Sequence, residues 1–150
     1  MNNNNNNNNG NPTTSSFFFP LSLTQAASVL GATGVALGAW GAHGLAAKLA
    51  AERRGDSWRT AVLYQLFHAT AILGVAALAE HHHDNNGNTT LATTNRWTRV
   101  GQLWTVGTTL FSGSIYLLCL NAGPKKLLGP STPLGGLILI SGWVLLGFCE

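Results

Sequence analysis

The chain has 150 residues, enough for one domain, and only 9% of them are charged, whereas a soluble domain usually carries about 25%. Its formal net charge of +3 comes from eight basic and five acidic residues that are spread thinly along the chain. No basic run or basic face appears, so the sequence gives no support to a nucleic-acid partner. The shortage of charge favours a membrane protein over a water-soluble one.

The N-terminal segment, residues 1–22, opens with an uninterrupted run of asparagines from Asn2 to Asn9, followed by Gly, Pro, Thr and Ser. Such a polar stretch buries too little apolar surface to offset the chain entropy of folding. We therefore predict a disordered Asn-rich N-terminus. No Lys or Arg precedes Lys48, so we expect neither the basic start of a secretory signal nor an Arg-rich transit peptide.

Four apolar segments follow. The first three reach the roughly 20 residues that a helix needs to cross a bilayer, and the fourth is the shortest. They cover residues 23–49, 58–79, 100–120 and 134–148. The fourth segment is expected to begin after Pro130 and Pro133 break the chain, with Ser131 and Thr132 as caps. Residues 81–95, rich in His, Asn and Thr, are predicted to form a long mobile loop.

The connections between these segments predict how the helices are arranged. Most are short, which favours antiparallel neighbours. The sequence therefore predicts an all-α fold, an integral membrane four-helix antiparallel bundle over residues 23–150. The loops after the first and third segments carry six basic residues, Lys48, Arg53, Arg54, Arg59, Lys125 and Lys126, against two at the other end, Arg96 and Arg99. By the positive-inside rule these two loops are expected on the cytoplasmic or matrix side, with both termini opposite.

One face of the first segment is made of small residues. Gly31, Gly34, Gly38 and Gly41 fall within a narrow arc at about 100° per residue. Such a groove lets another helix approach closely. We interpret it as a helix-packing face, within the bundle or in a homodimer.

Polar residues in the second and third segments form a candidate intramembrane site. A stripe of hydroxyl groups lies along the third segment, while a polar patch and an imidazole lie on the second. The members of the site are Tyr64, Gln65, His68, Thr105, Thr108, Ser112 and Tyr116, with Thr109 beside them and His43 late in the first segment. Polar groups in lipid must turn inward and find partners. They are either structural hydrogen bonds between helices or the lining of a small binding site or polar pathway.

The two intramembrane histidines are the members of this candidate site with the widest range of possible chemical roles. His43 and His68 are each able to bind a metal or haem, or to carry a proton. They lie at different depths, so we predict that they do not share a metal. No nucleotide-binding loop, GxSxG, HExxH or carboxylate pair occurs, and the two cysteines form no redox or zinc motif. We therefore expect no catalytic residue, no metal site and no cofactor.

Several short sequence motifs occur in a specific order along the chain. They are Gly38-Ala39-Trp40-Gly41-Ala42-His43-Gly44-Leu45, then Trp58 with Thr60-Ala61-Val62 and Tyr64-Gln65 followed by His68-Ala69, then Phe111-Ser112-Gly113-Ser114-Ile115-Tyr116, and finally Thr132-Pro133-Leu134-Gly135-Gly136. In this order the chain resembles the small multi-pass membrane proteins of domain of unknown function 423, the family that includes transmembrane protein 256. The family pattern has Phe where Trp40 stands. The resemblance implies four membrane helices, allows a mitochondrial membrane for a eukaryotic member, and supplies no catalytic residue.

Three functional hypotheses follow. The first is a non-enzymatic accessory protein that packs in the lipid bilayer against itself or other membrane proteins. The second is small-ligand binding or transport along the polar face of His68, Gln65, Thr105, Thr108 and Ser112. The third, weaker hypothesis is a membrane redox protein that uses a histidine as a haem ligand.

Overall fold

The computed structural model describes residues 22–85 and 91–148, with side chains for 22–80 and 96–148. All regular structure in these ranges is helical, which confirms the all-α class. The five helices are α1 (Leu23–Ala42), α2 (Ala46–Ala51), α3 (Gly55–Asn85), α4 (Leu91–Cys119) and α5 (Lys125–Leu146). The predicted disordered N-terminus lies outside the described residues, except for Ser22, the N-cap of α1.

The first predicted helix is divided in two, so the prediction of one helix over 23–49 was wrong. α1 ends at Ala42, and His43 is its C-cap. The backbone N–H of Leu45 then bonds to Trp40 O at 2.9 Å, which closes the end of the helix before α2 begins. Gly44 permits this turn, because a Cβ there would lie only 2.5 Å from Cδ1 of Trp40.

The prediction of a long loop over 81–95 was also wrong. The backbone is helical at 81–85 and again at 91–95, so only 86–90 separate α3 from α4 and lie outside the description. α3 and α4 have 31 and 29 residues, longer than the apolar segments inside them. Apolar character marks the part of a helix that can be buried in lipid, whereas helical hydrogen bonds continue beyond it.

The fourth predicted helix begins nine residues earlier than expected, with Pro124 as its N-cap and both Pro130 and Pro133 inside it. Ser131 and Thr132 are therefore not caps. Their hydroxyls donate to carbonyls one turn earlier in the same helix. A proline removes one N–H from a helix, and membrane helices tolerate this where a neighbouring helix supports them.

Consecutive long helices pack side by side in opposite directions. Gly34 of α1 faces Leu66 of α3, while Gly41 faces Trp58. The same reversal of order holds between α4 and α5, where Phe111 faces Gly135 and Trp104 faces Gly142. Between α3 and α4, the Ala61 carbonyl accepts from Ser112, and Arg54, just before α3, reaches Leu118 near the end of α4.

Two apolar clusters hold these helices together. One lies towards the start of α1 and is built around Ala27, Ile72, Val75, Val100, Trp104 and Leu139. The other lies at the end that carries α2, around Leu49, Trp58, Ala61, Tyr116 and Cys119. Large apolar side chains are also exposed on the outside of the long helices. Two described helical stretches, Gly55–Glu80 and Lys125–Leu146, are long and apolar enough to cross a membrane.

Candidate functional site

Gln65 is the centre of a hydrogen-bond network that joins three helices. Its Nε2 donates to Leu30 O and to Thr33 Oγ1 of α1, both at 2.8 Å. Its Oε1 accepts from the Tyr116 hydroxyl of α4 at 2.9 Å. Gln65 is only 4% exposed and Tyr116 7%. A glutamine side chain has two donors and one acceptor oxygen, so its donors and its oxygen are all engaged here.

Four members of the α4 hydroxyl stripe are buried, namely Thr105, Thr108, Ser112 and Tyr116, whereas Thr109 is exposed. Their hydroxyls have different partners. Ser112 donates to Ala61 O of α3 at 2.8 Å. Thr105 and Thr109 donate instead to carbonyls four residues earlier in their own helix. Thr108, 1% exposed, has no hydrogen-bond partner among the described residues. Among the hydroxyls of this stripe, only Ser112 and Tyr116 therefore bond to a neighbouring helix.

His68 has both ring nitrogens occupied. Its Nδ1 lies 2.9 Å from Tyr64 O, and the Trp143 indole N–H of α5 donates to its Nε2 at 3.2 Å. A carbonyl only accepts and an indole N–H only donates. These partners are satisfied together only when Nδ1 carries the proton and Nε2 is the acceptor. The geometry therefore fixes one neutral tautomer of a side chain that is 3% exposed.

The structure divides the predicted polar site. Gln65 turns towards α1, whereas His68 turns towards α5 and makes no hydrogen bond to the hydroxyl stripe. Tyr64 is 41% exposed, and its ring packs on Phe111 at 4.7 Å. Tyr64 and Gln65 are adjacent in sequence and so diverge by about 100° around α3. The side chains of Tyr64 and Gln65 therefore contact different residues of the neighbouring helices.

His43 takes no part in this arrangement. It lies at the C-cap of α1 and is exposed. Because α1 ends there, its side chain is not carried into the bundle as the uninterrupted helix predicted.

A groove lies beside His68, between α3, α4 and α5. Its volume is about 440 Å³, and its walls include Tyr64, Phe67, Phe111 and Trp143. Phe67 and Trp143 stack at 5.8 Å. Aromatic walls with one polar side chain suit an apolar or aromatic ligand.

The glycine face of α1 packs inside the chain. A Cβ at Gly34 would lie 2.8 Å from Leu66, one at Gly38 would lie 3.3 Å from Val62, and one at Gly41 would lie 2.1 Å from the Trp58 indole. Gly31 differs, because nothing lies within 4 Å of its Cβ position. Three of the four predicted glycines thus form the α1–α3 interface.

Sequence reasoning missed the interface between α4 and α5. Gly135 and Gly142 lie seven residues apart and face α4. Trp104 and Trp143 pack together at 4.5 Å and enclose His68. The seven-residue spacing of the glycines was the available signal, because it returns to the same helix face after two turns.

The basic loops meet at one end of the bundle. Lys48 Nζ donates to Leu120 O at 3.3 Å, and the Arg54 guanidinium donates to Leu118 O. Arg54 also pairs with Glu52 at 3.3 Å. The carbonyls at the end of a helix have no partner within it, so these cations satisfy the C-terminal end of α4.

Comparison with known proteins places these features in a family. The chain matches the family model "Protein of unknown function (DUF423)" over residues 37–136. It is 36% identical to a UPF0382 membrane protein of Schizosaccharomyces pombe over 126 residues, which cover 82% of this chain and 96% of that protein. It is 37% identical to the UPF0382 membrane protein YwdK of Bacillus subtilis over 112 residues, 75% of this chain and 81% of that protein.

A UPF0382 membrane protein of Haemophilus influenzae is 36% identical over 116 residues, 76% of this chain and 81% of that protein. No solved structure matches the chain. The matched region runs from the second half of α1 to the middle of α5, and so includes Gln65, His68 and the hydroxyl stripe. The chain is a member of the DUF423 family of membrane proteins.

Proposed function

We propose that the four long helices, α1, α3, α4 and α5, all cross the membrane as an antiparallel integral bundle. Large apolar side chains on the outside of each of them support this, among them Val35, Leu63, Phe67, Leu110, Leu117, Leu137 and Ile140. The buried polar side chains support it too, because polar groups in lipid must turn inward. α1 and α4 are included because they pack directly against α3 and α5 and carry exposed apolar side chains of the same kind.

In this arrangement the loops around Arg54 and Lys125 face the cytoplasm or matrix, while both chain termini face the opposite side. Cysteine labelling in sealed vesicles tests this orientation. In a variant whose native cysteines are replaced by Ala, Asp56→Cys and Asn88→Cys are labelled separately with an impermeant maleimide. We expect the two positions to react from opposite sides. Reaction of both from one side would refute the topology.

We further propose a non-enzymatic accessory role, in which the protein packs against itself or other membrane proteins. The observation that supports this role most directly is the hydrogen-bond network around Gln65, whose polar atoms are all used to join α1, α3 and α4. Polar side chains that serve as interhelical hydrogen bonds are not free for a reaction or a transport step. Copurification in mild detergent tests the role, because it identifies whatever membrane protein the bundle accompanies.

His68 provides the sharper test of a structural role. His68→Gln keeps one acceptor and a donor for its two partners, whereas His68→Leu leaves the Trp143 N–H without a partner. We expect His68→Gln to keep both the fold and the phenotype in complementation of a deletion strain. His68→Leu should lose about 1 to 3 kcal/mol of stability. A His68→Gln variant that is stable in detergent but fails to complement would make His68 a functional group.

The aromatic groove favours a second candidate function, the binding of a small apolar or aromatic molecule beside His68. Its volume of about 440 Å³ falls within the range of ligand sites. A haem-linked redox role is the weaker alternative, because iron would need the Nε2 lone pair that accepts the Trp143 N–H. A visible absorption spectrum of the purified protein separates the two, since haem alone gives a Soret band.

A further inference from the structure

A separate cavity of about 430 Å³ lies between α3, α4 and α5 at the end of the bundle where the basic loops meet. Two cationic side chains line it, Arg54 and Lys125. Ser57 and Thr60 contribute hydroxyls, while Ile115 and Leu118 of α4 provide an apolar wall. Positive charge, hydroxyl groups and an apolar wall thus occur together in one space, which we call the Arg54–Lys125 cavity.

The charges around the Arg54–Lys125 cavity do not cancel. Six cationic side chains lie at this end, against two acidic ones, Glu52 and Asp56, which leaves an excess of four positive charges. Glu52 pairs with Arg54 at 3.3 Å and Asp56 with Arg59 at 3.8 Å. Lys125 is exposed and forms no salt bridge within residues 22–80 and 96–148. An anion in this cavity would therefore meet uncompensated positive charge.

Arg54 is held in place before any ligand arrives. Its Nε pairs with Glu52, and one Nη nitrogen donates to Leu118 O. A guanidinium carries five N–H donors in a fixed plane, so donors remain after these contacts. The side chain is 30% exposed. A fixed, partly exposed guanidinium binds an oxyanion with little further loss of side-chain entropy.

We propose that the Arg54–Lys125 cavity binds the phosphate of an anionic phospholipid, with an acyl chain lying against Ile115 and Leu118. Arg54 and Lys125 would contact the phosphate oxygens by charge-assisted hydrogen bonds. Basic pockets between membrane helices on the cytoplasmic or matrix side characteristically take acidic headgroups. The inference rests on the proposed membrane-spanning bundle, since only then does a lipid headgroup lie at this level.

The test uses the full chain purified in a nonionic detergent, with native mass spectrometry to count bound lipids at increasing phosphatidylglycerol or phosphatidylcholine. Lys125→Gln and Lys125→Glu are compared with Lys126→Gln, because Lys126 adjoins Lys125 and carries the same charge but does not line the cavity. Arg54 is left unchanged, since it also caps α4. A parallel thermal-denaturation series adds inorganic phosphate alone.

We expect one phosphatidylglycerol molecule to bind in preference to phosphatidylcholine. Lys125→Gln should weaken that binding about fivefold, the effect of one cation on an acidic lipid. Lys125→Glu should weaken it further, and Lys126→Gln should change it less than twofold. Equal losses for Lys125→Gln and Lys126→Gln would show a diffuse positive field rather than a site, and would overturn the proposal.

Equal binding of both lipids would also overturn it. Stabilisation by inorganic phosphate equal to that by phosphatidylglycerol would assign the cavity to a free anion instead of a lipid. Failure of the membrane-spanning bundle is recognised separately, because alkaline carbonate would then release the protein from membranes. A protein that resists carbonate but shows no preference for phosphatidylglycerol would refute the lipid site alone.

Discussion

Gly135 is the position where α5 comes close to the backbone of α4, and its substitution by Ala should separate the two helices. A Cβ at Gly135 would lie 2.5 Å from Phe111 N, 2.9 Å from Phe111 Cα and 3.0 Å from Gly107 O. All three are backbone atoms, so no side chain can rotate away. An ordinary contact needs about 3.5 Å, and α5 would therefore have to move by about 1 Å.

The neighbouring glycine offers a matched control. A Cβ at Gly136 would lie 3.8 Å from the Phe111 ring, which is an ordinary contact. Both positions lie inside α5, so both substitutions gain up to about 1 kcal/mol of helix propensity. Overpacking costs about 1–3 kcal/mol, and backbone contacts place Gly135→Ala at the upper end. We expect a net loss of about 2 kcal/mol for Gly135→Ala, and no loss for Gly136→Ala.

Reversible unfolding in mixed detergent micelles, followed by tryptophan fluorescence, measures this difference. Trp104 and Trp143 both lie at the α4–α5 interface, so their emission should report its separation. Equal unfolding free energies for the two variants would refute the close approach of α5 to α4. Gly135→Ala equal to the wild type would do so as well, because the backbone atoms would then not be where the packing argument requires them.

Three further predictions concern the other helix contacts. Gly34→Leu should lower the melting temperature in detergent while Gly31→Leu does not, because of these two glycines only Gly34 faces α3. A larger loss for Gly31→Leu than for Gly34→Leu would contradict the assigned α1–α3 interface. Tyr116→Phe should cost about 1 kcal/mol in the same melt through loss of one buried hydrogen bond, and an unchanged melting temperature would show that the network around it is not stabilising. Trp143→Phe should leave His68 Nε2 without its donor at a cost of about 1–3 kcal/mol, and the ¹⁵N NMR shift of Nε2 should change while Nδ1 keeps its proton for Tyr64 O; an unchanged Nε2 shift would contradict the assigned bond.

The sequence predicted the helical class and the burial of Gln65, His68 and Ser112, because both follow from local composition and helical periodicity. Tyr64 and His43, which it also placed in the polar site, are exposed.

The sequence did not predict where helices end. Residues 81–85 continue α3 although they are polar, and Pro130 lies within α5 because packing against α4 supports that stretch. There, the Ser114 and Thr132 hydroxyls lie 2.6 Å apart. Such support comes from another helix and is absent from the local sequence.

The division of the candidate site has a similar origin. Periodicity placed Gln65 and His68 on one broad face of α3, and both are indeed buried. Which neighbour each side chain meets depends on how three helices surround α3. Trp143, which donates to His68 from another helix, lies 75 residues away in sequence. A pattern within one helix indicates that a polar group needs a partner, but the partner is set by the arrangement of the other helices.

The contact of Arg54 with the end of α4 has a consequence for the order of assembly. Its acceptor, Leu118 O, belongs to a part of the chain synthesised 64 residues later. In the proposed membrane-spanning bundle, Arg54 would therefore lack its α4 partner during insertion, with only Glu52 beside it, and would help retain its loop on one side of the membrane. In that arrangement, the bond from Arg54 to Leu118 O would form only after α4 has crossed, and it would then join α4 to the start of α3. The same guanidinium would thus first help to orient its loop and later hold α4 against α3. Reversing the orientation of the α4–α5 pair alone would require the bond between Arg54 and Leu118 O to break.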